Sequence, residues 1–338
     1  MFRKNDRVAW RQPDGSPDVE LSGVIVEGIC EYLAAGGVYR NRYVVQRFDG
    51  TKFAAGDFDL IKLADAHDST SGTARGMKLT SGGIDMHYTI EGNGPVVTMS
   101  HALGCNLSIW DEQARALSTR YRVLRYDTRG HGQTTVTPGP YSLEMLAEDL
   151  HTLLHGLGIA ETHFVGISMG GMIGQLFALK HPQMLRSLVL CDTTSHYPGD
   201  VRPAWEERIL TVLARGMEPL VEPTLQRWFT TPFRKQRPDL MDRVRAMLRS
   251  TPPKGYIGCC HAIPTIHTID RLREIRCPTL VIVGEEDKGT PVEMAREIHA
   301  AVSGSEFAVI PSASHLSNLE QPEEFNRILL GFLDKVSR

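Results

Sequence analysis

The sequence of 338 residues lacks several features that mark large classes of proteins. No apolar run approaches the roughly eighteen residues that a membrane-spanning helix needs, and the first ten residues are polar and charged, unlike a secretory signal. Lysine and arginine number 37 against 40 aspartate and glutamate residues, so a net charge of -3 gives no basic surface for nucleic acid. The sequence therefore predicts a cytoplasmic protein with no membrane and no nucleic-acid partner.

Signatures of disulfides and metal sites are also missing. The six cysteines include no C-x-x-C pair, which favours small buried side chains in a reducing compartment. No H-x-H or H-E-x-x-H pattern occurs. His151 and His155 stand four residues apart on a helix pattern, away from its apolar stripe, which is typical of solvent-facing residues. We therefore expect no metal and no cofactor.

The polar stretch of residues 64–76, ADAHDSTSGTARG, divides the chain into two parts. Before it, short β-rich runs alternate with turn signals such as Asp49-Gly50, which predicts a small all-β, SH3-like barrel at residues 1–66. Residues 67–76 are predicted to be a linker, and residues 77–338 a second domain. The barrel is interpreted as a docking, bracing or oligomerisation module, so a homo-oligomer formed through it is one expected partner arrangement.

After the linker, strand and helix patterns alternate along the chain. Such alternation predicts an α/β fold with a mostly parallel sheet covered by helices on both faces. It pauses at about residues 195–269, a proline-rich stretch of helix formers, where we expect several short helices that form a cap over the strand ends. Active sites of parallel sheets lie at the carboxyl ends of the strands, beneath such a cap.

Residues 166–170 read G-x-S-x-G between an apolar run and a helix pattern. This motif places a serine on a strained strand-to-helix turn, where side chains on the flanking residues would collide with the backbone. The motif alone is weak evidence, because it also arises by chance. Its position between a strand and a helix makes Ser168 the candidate nucleophile.

A serine nucleophile of this kind requires an acid and then a histidine, each just after a later strand. Asp287 and His315 fit that order, and the histidine would take the serine proton while the acid orients its ring. Asp192 follows an earlier strand and is the main alternative acid, while Glu285 and Glu286 flank Asp287 and are weaker ones.

The oxyanion hole is predicted from two backbone N–H groups, those of Leu103 and Met169. His101, just before Leu103, is interpreted as a residue that braces this loop by hydrogen bonds rather than a second base. Asp127 and Arg129 stand two residues apart in a glycine-rich turn, so we expect them to pair and fix the loop. In the cap, Trp228, Phe229, Met241 and Met247 are candidates for an apolar pocket wall.

From about Leu79 to Leu333 the chain resembles α/β-hydrolases, and more narrowly the 3-oxoadipate enol-lactonases of bacterial aromatic catabolism. The strings that carry the resemblance are LGCNLSIWDEQ, YRVLRYDTRGHGQT, GISMGGMIGQ, RWFTTPFR, TPPKGYIGCCHAI and HLSNLEQPEEF. RWFTTPFR and TPPKGYIGCCHAI are the most discriminating, because they fall in the cap, which selects the substrate.

The resemblance implies an α/β-hydrolase fold, a triad of Ser168, Asp287 and His315, and a lactone whose ring ester is opened by water. It also implies an anionic substrate, for which Arg227 and Arg234, beside Trp228 and Phe229, are candidate contacts. General carboxylesterase, amidase-like and C–C bond hydrolase activities, and a non-catalytic receptor of the same fold, are the alternatives.

Overall fold

The protein is described here from a computed structural model, which covers residues 7–11, 17–33, 38–47, 52–56, 60–62 and 76–337. Apart from Gly76, the predicted linker lies outside these residues. The strands form two sheets that share no strand.

The first sheet is antiparallel throughout, with the order β4-β3-β2-β1-β5. Its strands are β1 (Arg7–Arg11), β2 (Pro17–Leu33), β3 (Val38–Arg47), β4 (Lys52–Gly56) and β5 (Leu60–Lys62). The pairing of the first and last strands joins the two ends of this segment. An SH3-like barrel stays a prediction, because the segments that connect these strands fall outside the described residues.

The second sheet has eight strands in the order β13-β12-β11-β10-β8-β9-β7-β6. The pairs β6 with β7 and β7 with β9 are antiparallel, while the other pairs are parallel. The predicted mostly parallel sheet is therefore confirmed. The strands are β6 (Met77–Ser81), β7 (Ile84–Glu91), β8 (Val96–Ser100), β9 (Arg122–Tyr126), β10 (Thr162–Ile167), β11 (Leu185–Cys191), β12 (Thr279–Gly284) and β13 (Glu306–Ile310).

Helices connect the parallel strands and bury their apolar stripes. The helix at Leu143–Gly156 shows why, since Ser142 Oγ accepts from the Met145 N–H at its start, and its leucines at three- and four-residue spacing are buried. The helices are α1 (Asp111–Leu117), α2 (Leu143–Gly156), α3 (Met169–Lys180), α4 (Arg202–Arg215), α5 (Glu218–Trp228), α6 (Thr231–Gln236), α7 (Pro238–Ser250), α8 (Pro253–Ala262), α9 (Val292–Ala301), α10 (Ser317–Glu320) and α11 (Pro322–Val336).

The stretch between β11 and β12 holds five helices, α4 to α8, which we call the cap. Each begins with a proline in its first two positions, where the missing N–H would have no partner within the helix anyway. The prolines that interrupt the sequence pattern therefore mark where helices start. Within the described ranges, no helix is long and apolar enough to cross a membrane.

We expect a chain that begins at Gly76 to keep its catalytic competence, because the eight-stranded sheet starts at Met77 and every candidate catalytic group lies beyond residue 100. Activity should be compared at matched folded concentration, with circular dichroism as the control for folding. A loss of more than about a hundredfold in kcat/KM, roughly 2.7 kcal/mol of transition-state stabilisation, in a folded truncated protein would mean that the N-terminal residues shape the pocket.

Candidate active site

Ser168 stands on the turn between β10 and α3 with φ 55° and ψ -116°, a conformation that is rare for residues other than glycine. The turn is packed backbone to backbone. A Cβ atom on Gly166 would lie 2.2 Å from the Gly170 carbonyl oxygen, and one on Gly170 would lie 2.2 Å from the Ser100 carbonyl oxygen. Both glycines of the motif are therefore required by close approach of the main chain, and the turn holds the serine side chain half-buried at the end of the strand.

A continuous chain of hydrogen bonds links the serine, the histidine and the aspartate. His315 Nε2 lies 2.9 Å from Ser168 Oγ, and His315 Nδ1 lies 2.8 Å from Asp287 Oδ2. Asp287 also accepts from the N–H groups of Gly289 and Thr290 and from the Thr290 hydroxyl. The acid is therefore fixed from several directions while it faces the imidazole.

The charges around His315 favour the protonated form of its imidazole. Burial disfavours the charged form of His315, but the charge and hydrogen bond of Asp287, together with the charge of Asp192, outweigh burial and raise the pKa of His315 above its ordinary 6.5. Burial opposes ionisation of Asp287 too, yet the contact with His315 and the hydrogen bonds from Thr290 lower the pKa of Asp287. The pair thus stabilises an imidazolium in contact with a carboxylate, the state that forms when the serine is deprotonated.

Asp192, the alternative acid, is fully buried at the end of β11 but contacts other partners. Its Oδ1 accepts from the Gly284 N–H at 2.7 Å, and its Oδ2 accepts from the Ser317 hydroxyl at 2.6 Å. Burial and the charge of Asp287 raise the pKa of Asp192. Asp192 therefore ties β11 to β12 and to the start of α10, whereas the imidazole bonds to Asp287.

The loop after β8 carries Leu103. Neither its N–H nor that of Met169 donates a hydrogen bond within the described part of the chain. Two buried imidazoles hold this loop. His101 Nε2 accepts from the Thr128 N–H at 2.9 Å, and His131 Nε2 accepts from the Gly104 N–H at 3.0 Å. Each ring must therefore be neutral at that nitrogen, and burial lowers the pKa of both, that of His131 to about 3. The bracing role expected of His101 is confirmed.

The expected pair of Asp127 with Arg129 is wrong. Arg129 donates instead to the Asp149 carboxylate in α2, with its Nε 2.7 Å from Oδ2. Asp127 accepts from the Leu107 N–H at 2.8 Å and contacts His87 Nδ1 at 2.7 Å. Each side chain finds a partner distant in sequence, and together these contacts fix the loop against the sheet and against α2.

A cavity of about 240 Å³ opens beside Ser168 and His315. Its wall carries two guanidinium groups, those of Arg208 in α4 and Arg227 in α5, and neither is in an ion pair among the described residues. The Arg208 guanidinium carbon lies 4.4 Å from the Trp205 ring centroid. Burial and the charge of Arg208 lower the pKa of Arg227. Two cations with no carboxylate partner beside the serine are suited to bind an anion.

The sequence anticipated part of this wall. Arg227 and Trp228 line the cavity, and the Trp228 ring stacks at 6.4 Å on His315. Phe229 lies outside the lining and packs on Phe233, while Arg234 also lies outside it and donates to the Thr231 hydroxyl. Met241 is buried in the core, and Met247 lines a different surface depression. The sequence does not single out Arg208, Tyr256 or Tyr197, because Arg208 and Tyr256 look like ordinary surface and core residues of helix patterns, and Tyr197 stands outside the helices and strands.

One group of side chains has the composition of a metal site. Ligand atoms of Glu148, His151 and His181 lie within 4.8 Å of one another, but none of the three lines the cavity. Lys180 Nζ donates to Glu148 Oε1 at 2.8 Å, so an ammonium group already occupies the carboxylate oxygen that also faces His181. This group is therefore explained as a surface ion cluster that joins α2 to the end of α3.

The packing at the serine turn predicts a contrast between two glycine substitutions. Gly170→Ala should lower the free energy of unfolding by about 2 to 3 kcal/mol, because the added Cβ has to displace main chain. Gly331→Ala, in the exposed interior of α11 with open space around it, should raise that free energy by about 0.5 to 1 kcal/mol. Denaturant unfolding measures both. Equal stability of the two variants would contradict the close approach at Gly170.

Comparison with known proteins agrees with this geometry. The profile of the alpha/beta hydrolase fold matches residues 95–322. The 3-oxoadipate enol-lactonase 2 of Acinetobacter baylyi is 34% identical over 250 residues, which are 73% of this chain and 92% of that protein. The crystal structure of the enol-lactonase from Burkholderia xenovorans LB400 is 34% identical with a TM-score of 0.74, and the match covers 76% of this chain and 100% of that one.

A hydrolase from Pseudomonas aeruginosa is 37% identical, also with a TM-score of 0.74, and the match covers 78% of this chain and 99% of that one. The profile match runs from β8 to β13 and includes the cap. With the profile match over most of the chain, these similarities establish that this protein belongs to the family of the alpha/beta hydrolase fold.

Proposed function

We propose that this protein is a serine hydrolase that opens a lactone or cleaves a carboxylic ester through an acyl-enzyme on Ser168. The observation that carries the proposal is the unbroken hydrogen-bonded chain from Ser168 through His315 to Asp287, at the mouth of a cavity with two unpaired arginines. The substrate that fits best is an enol-lactone with a free carboxylate, of the 3-oxoadipate type. The similarity of this chain to enol-lactonases supports that choice.

In the first step Ser168 Oγ attacks the ester carbonyl and His315 Nε2 takes the hydroxyl proton. Asp287 holds Nδ1 protonated and stabilises the imidazolium that results. The N–H groups of Leu103 and Met169 stabilise the negative charge on the former carbonyl oxygen, which is worth about 3 to 4 kcal/mol for each donor in measured oxyanion holes. The buried histidines behind Leu103 keep its N–H in place.

Collapse of this intermediate breaks the ring C–O bond, and His315 passes its proton to the leaving oxygen. In a lactone the leaving oxygen stays attached to the acyl group, so nothing departs at this stage. A water molecule then attacks the acyl carbon while His315 takes its proton, the bond from that carbon to Ser168 Oγ breaks, and His315 returns the proton to the serine. If the leaving oxygen is an enol, the released product tautomerises to a ketone. Because the ring ester has become a carboxylic acid, the product has one more carboxylate than the substrate.

The charges of the cavity favour a carboxylate on the substrate. Arg208 and Arg227 lie on two cap helices that face the same space, so a carboxylate between them would accept charge-assisted hydrogen bonds from both. This environment distinguishes an anionic lactone from the neutral substrates of a general carboxylesterase, which would gain little from two half-buried cations. We therefore favour the lactonase over the esterase, amidase-like and C–C hydrolase alternatives, and over a non-catalytic receptor.

Ser168→Ala should fold normally and lose at least about ten thousandfold in kcat, as removal of a triad member does. The thermal unfolding midpoint serves as the control for folding. A fluorophosphonate probe should label the wild type and leave this variant unlabelled. Turnover by the variant within tenfold of the wild type would exclude the serine mechanism.

The acid assignment predicts a change in the pH profile. Activity requires neutral His315, so kcat/KM of the wild type should rise with pH through a pKa above 6.5. Asp287→Asn removes the charge that raises this pKa, so the acid limb should move to lower pH while the plateau falls by about four orders of magnitude. Asp192→Asn should cost less than tenfold, since an amide can donate to Ser317 Oγ in place of accepting from it. If the two variants exchange these results, Asp192 is the acid.

The two arginines predict substrate selectivity. Arg208→Gln and Arg227→Gln should each raise KM for a carboxylate-bearing lactone by about 10-fold to 100-fold, the value of a hydrogen bond to a charged group. The methyl ester of the same lactone should change by less than threefold. Arg234→Gln makes the same charge change outside the cavity lining and should leave both substrates unaffected. A preference for neutral aryl esters in the wild type would indicate a general esterase.

A further inference from the structure

Glu320, at the end of α10, is a buried carboxylate that the proposed reaction does not use. Its Oε1 accepts from the Thr230 N–H at 2.8 Å and from the Thr230 hydroxyl at 2.5 Å, and its Oε2 accepts from the Ser314 N–H at 2.7 Å. Thr230 belongs to the cap, between α5 and α6, and Ser314 directly precedes His315. One carboxylate therefore joins the cap to the loop of the proposed base.

Two more hydrogen bonds join the same two segments. Ser314 Oγ donates to the Arg227 carbonyl at 3.0 Å, and the Leu316 N–H donates to the Trp228 carbonyl at 3.3 Å. Arg227 and Trp228 line the cavity, and Trp228 stacks on the His315 ring. Hydrogen bonds therefore hold two segments side by side: the one that would hold the substrate and the one that carries the base. Glu320 is bonded to both.

The surroundings of the Glu320 carboxylate indicate that it orients the two segments rather than stabilises the fold. Glu320 is in no ion pair among the described residues, and burial raises its pKa. Ionising a buried carboxylate without a cation is unfavourable, and the donors of Thr230 and Ser314 only partly offset that cost. The carboxylate instead serves to orient its donors, since its two oxygens hold the backbone N–H groups of two separate segments at a fixed separation.

We propose that Glu320 is a positioning residue, which couples the substrate-holding wall of the cap to the base His315 through Thr230 and Ser314. The inference rests on the assignment of His315 as the base. It differs from a purely structural role because it predicts loss of alignment between bound substrate and base in a protein that is still folded.

Glu320→Gln tests this coupling with little change in size. An amide has one acceptor oxygen, so its NH₂ group must face either the two Thr230 donors or the Ser314 N–H, and one side of the clamp opens. We expect kcat for a carboxylate-bearing lactone to fall at least tenfold, with KM changed less than threefold. The rate of labelling by a small fluorophosphonate, which needs Ser168 and His315 but no contact with the cap arginines, should change less than threefold.

Three further variants separate the causes. Glu324→Gln removes an exposed carboxylate of α11, paired with Arg327, and controls for the change of charge. Thr230→Ser keeps both donors to Glu320 and should cost less than threefold in kcat, whereas Thr230→Val loses the hydroxyl donor and should cost more than Thr230→Ser. Folding is followed by the thermal unfolding midpoint and circular dichroism.

Each result has a defined meaning. The split between turnover and labelling, with Thr230→Ser close to the wild type, supports the coupling. Wild-type turnover in folded Glu320→Gln overturns it. A parallel loss of turnover and labelling also overturns it, because Glu320 would then act on the serine and histidine themselves or on folding alone. A wild-type protein that the probe does not label would overturn the proposed function instead, whatever Glu320 does.

Discussion

The active-site end of the sheet depends on a close approach between main-chain segments at the turn that carries Ser168. Space for a single Cβ is missing at Gly166 and at Gly170, where the carbonyl groups of Gly170 and Ser100 stand in the way. This contact brings the start of α3 against the end of β8, so the N–H of Met169 and the loop with Leu103 come to the same side of the serine. The positive φ of Ser168 is kept because neighbouring backbone leaves it no alternative.

Buried carboxylates around this turn are held mainly by N–H and O–H donors of nearby loops. Asp287 binds the turn that follows it, Asp192 binds the end of β12 and the start of α10, and Glu320 binds the cap and the histidine loop. A buried acceptor with several donors costs free energy whenever one of them moves away. The loops that follow separate strands are thereby set in one mutual arrangement, although few of their residues are consecutive in the sequence.

The sequence revealed the parts of the site that depend on order along the chain. Ser168, Asp287 and His315 each follow a strand, and parallel strands bring such residues to one edge of the sheet. The strand pattern was therefore enough to predict that the three lie close together. Arg208 was missed because it stands among charged neighbours on α4, and only the tertiary position of that helix turns it toward the cavity. Arg129 was paired with the wrong aspartate for the same reason, since Asp149 is close in space but twenty residues away. Contacts that cross between elements carry no local signal.

The neutral histidines behind the loop of Leu103 also make the stability of the fold depend on pH. His101 and His131 have folded-state pKa values below the ordinary 6.5, that of His131 about 3, so the unfolded chain binds more protons than the folded one between those limits. Their contribution to stability is complete above pH 6.5 and declines steadily as the pH falls toward 3. Acid therefore lowers the stability of the fold before it protonates these rings in place, because protonation of either acceptor nitrogen requires release of the Thr128 or Gly104 N–H that it accepts from.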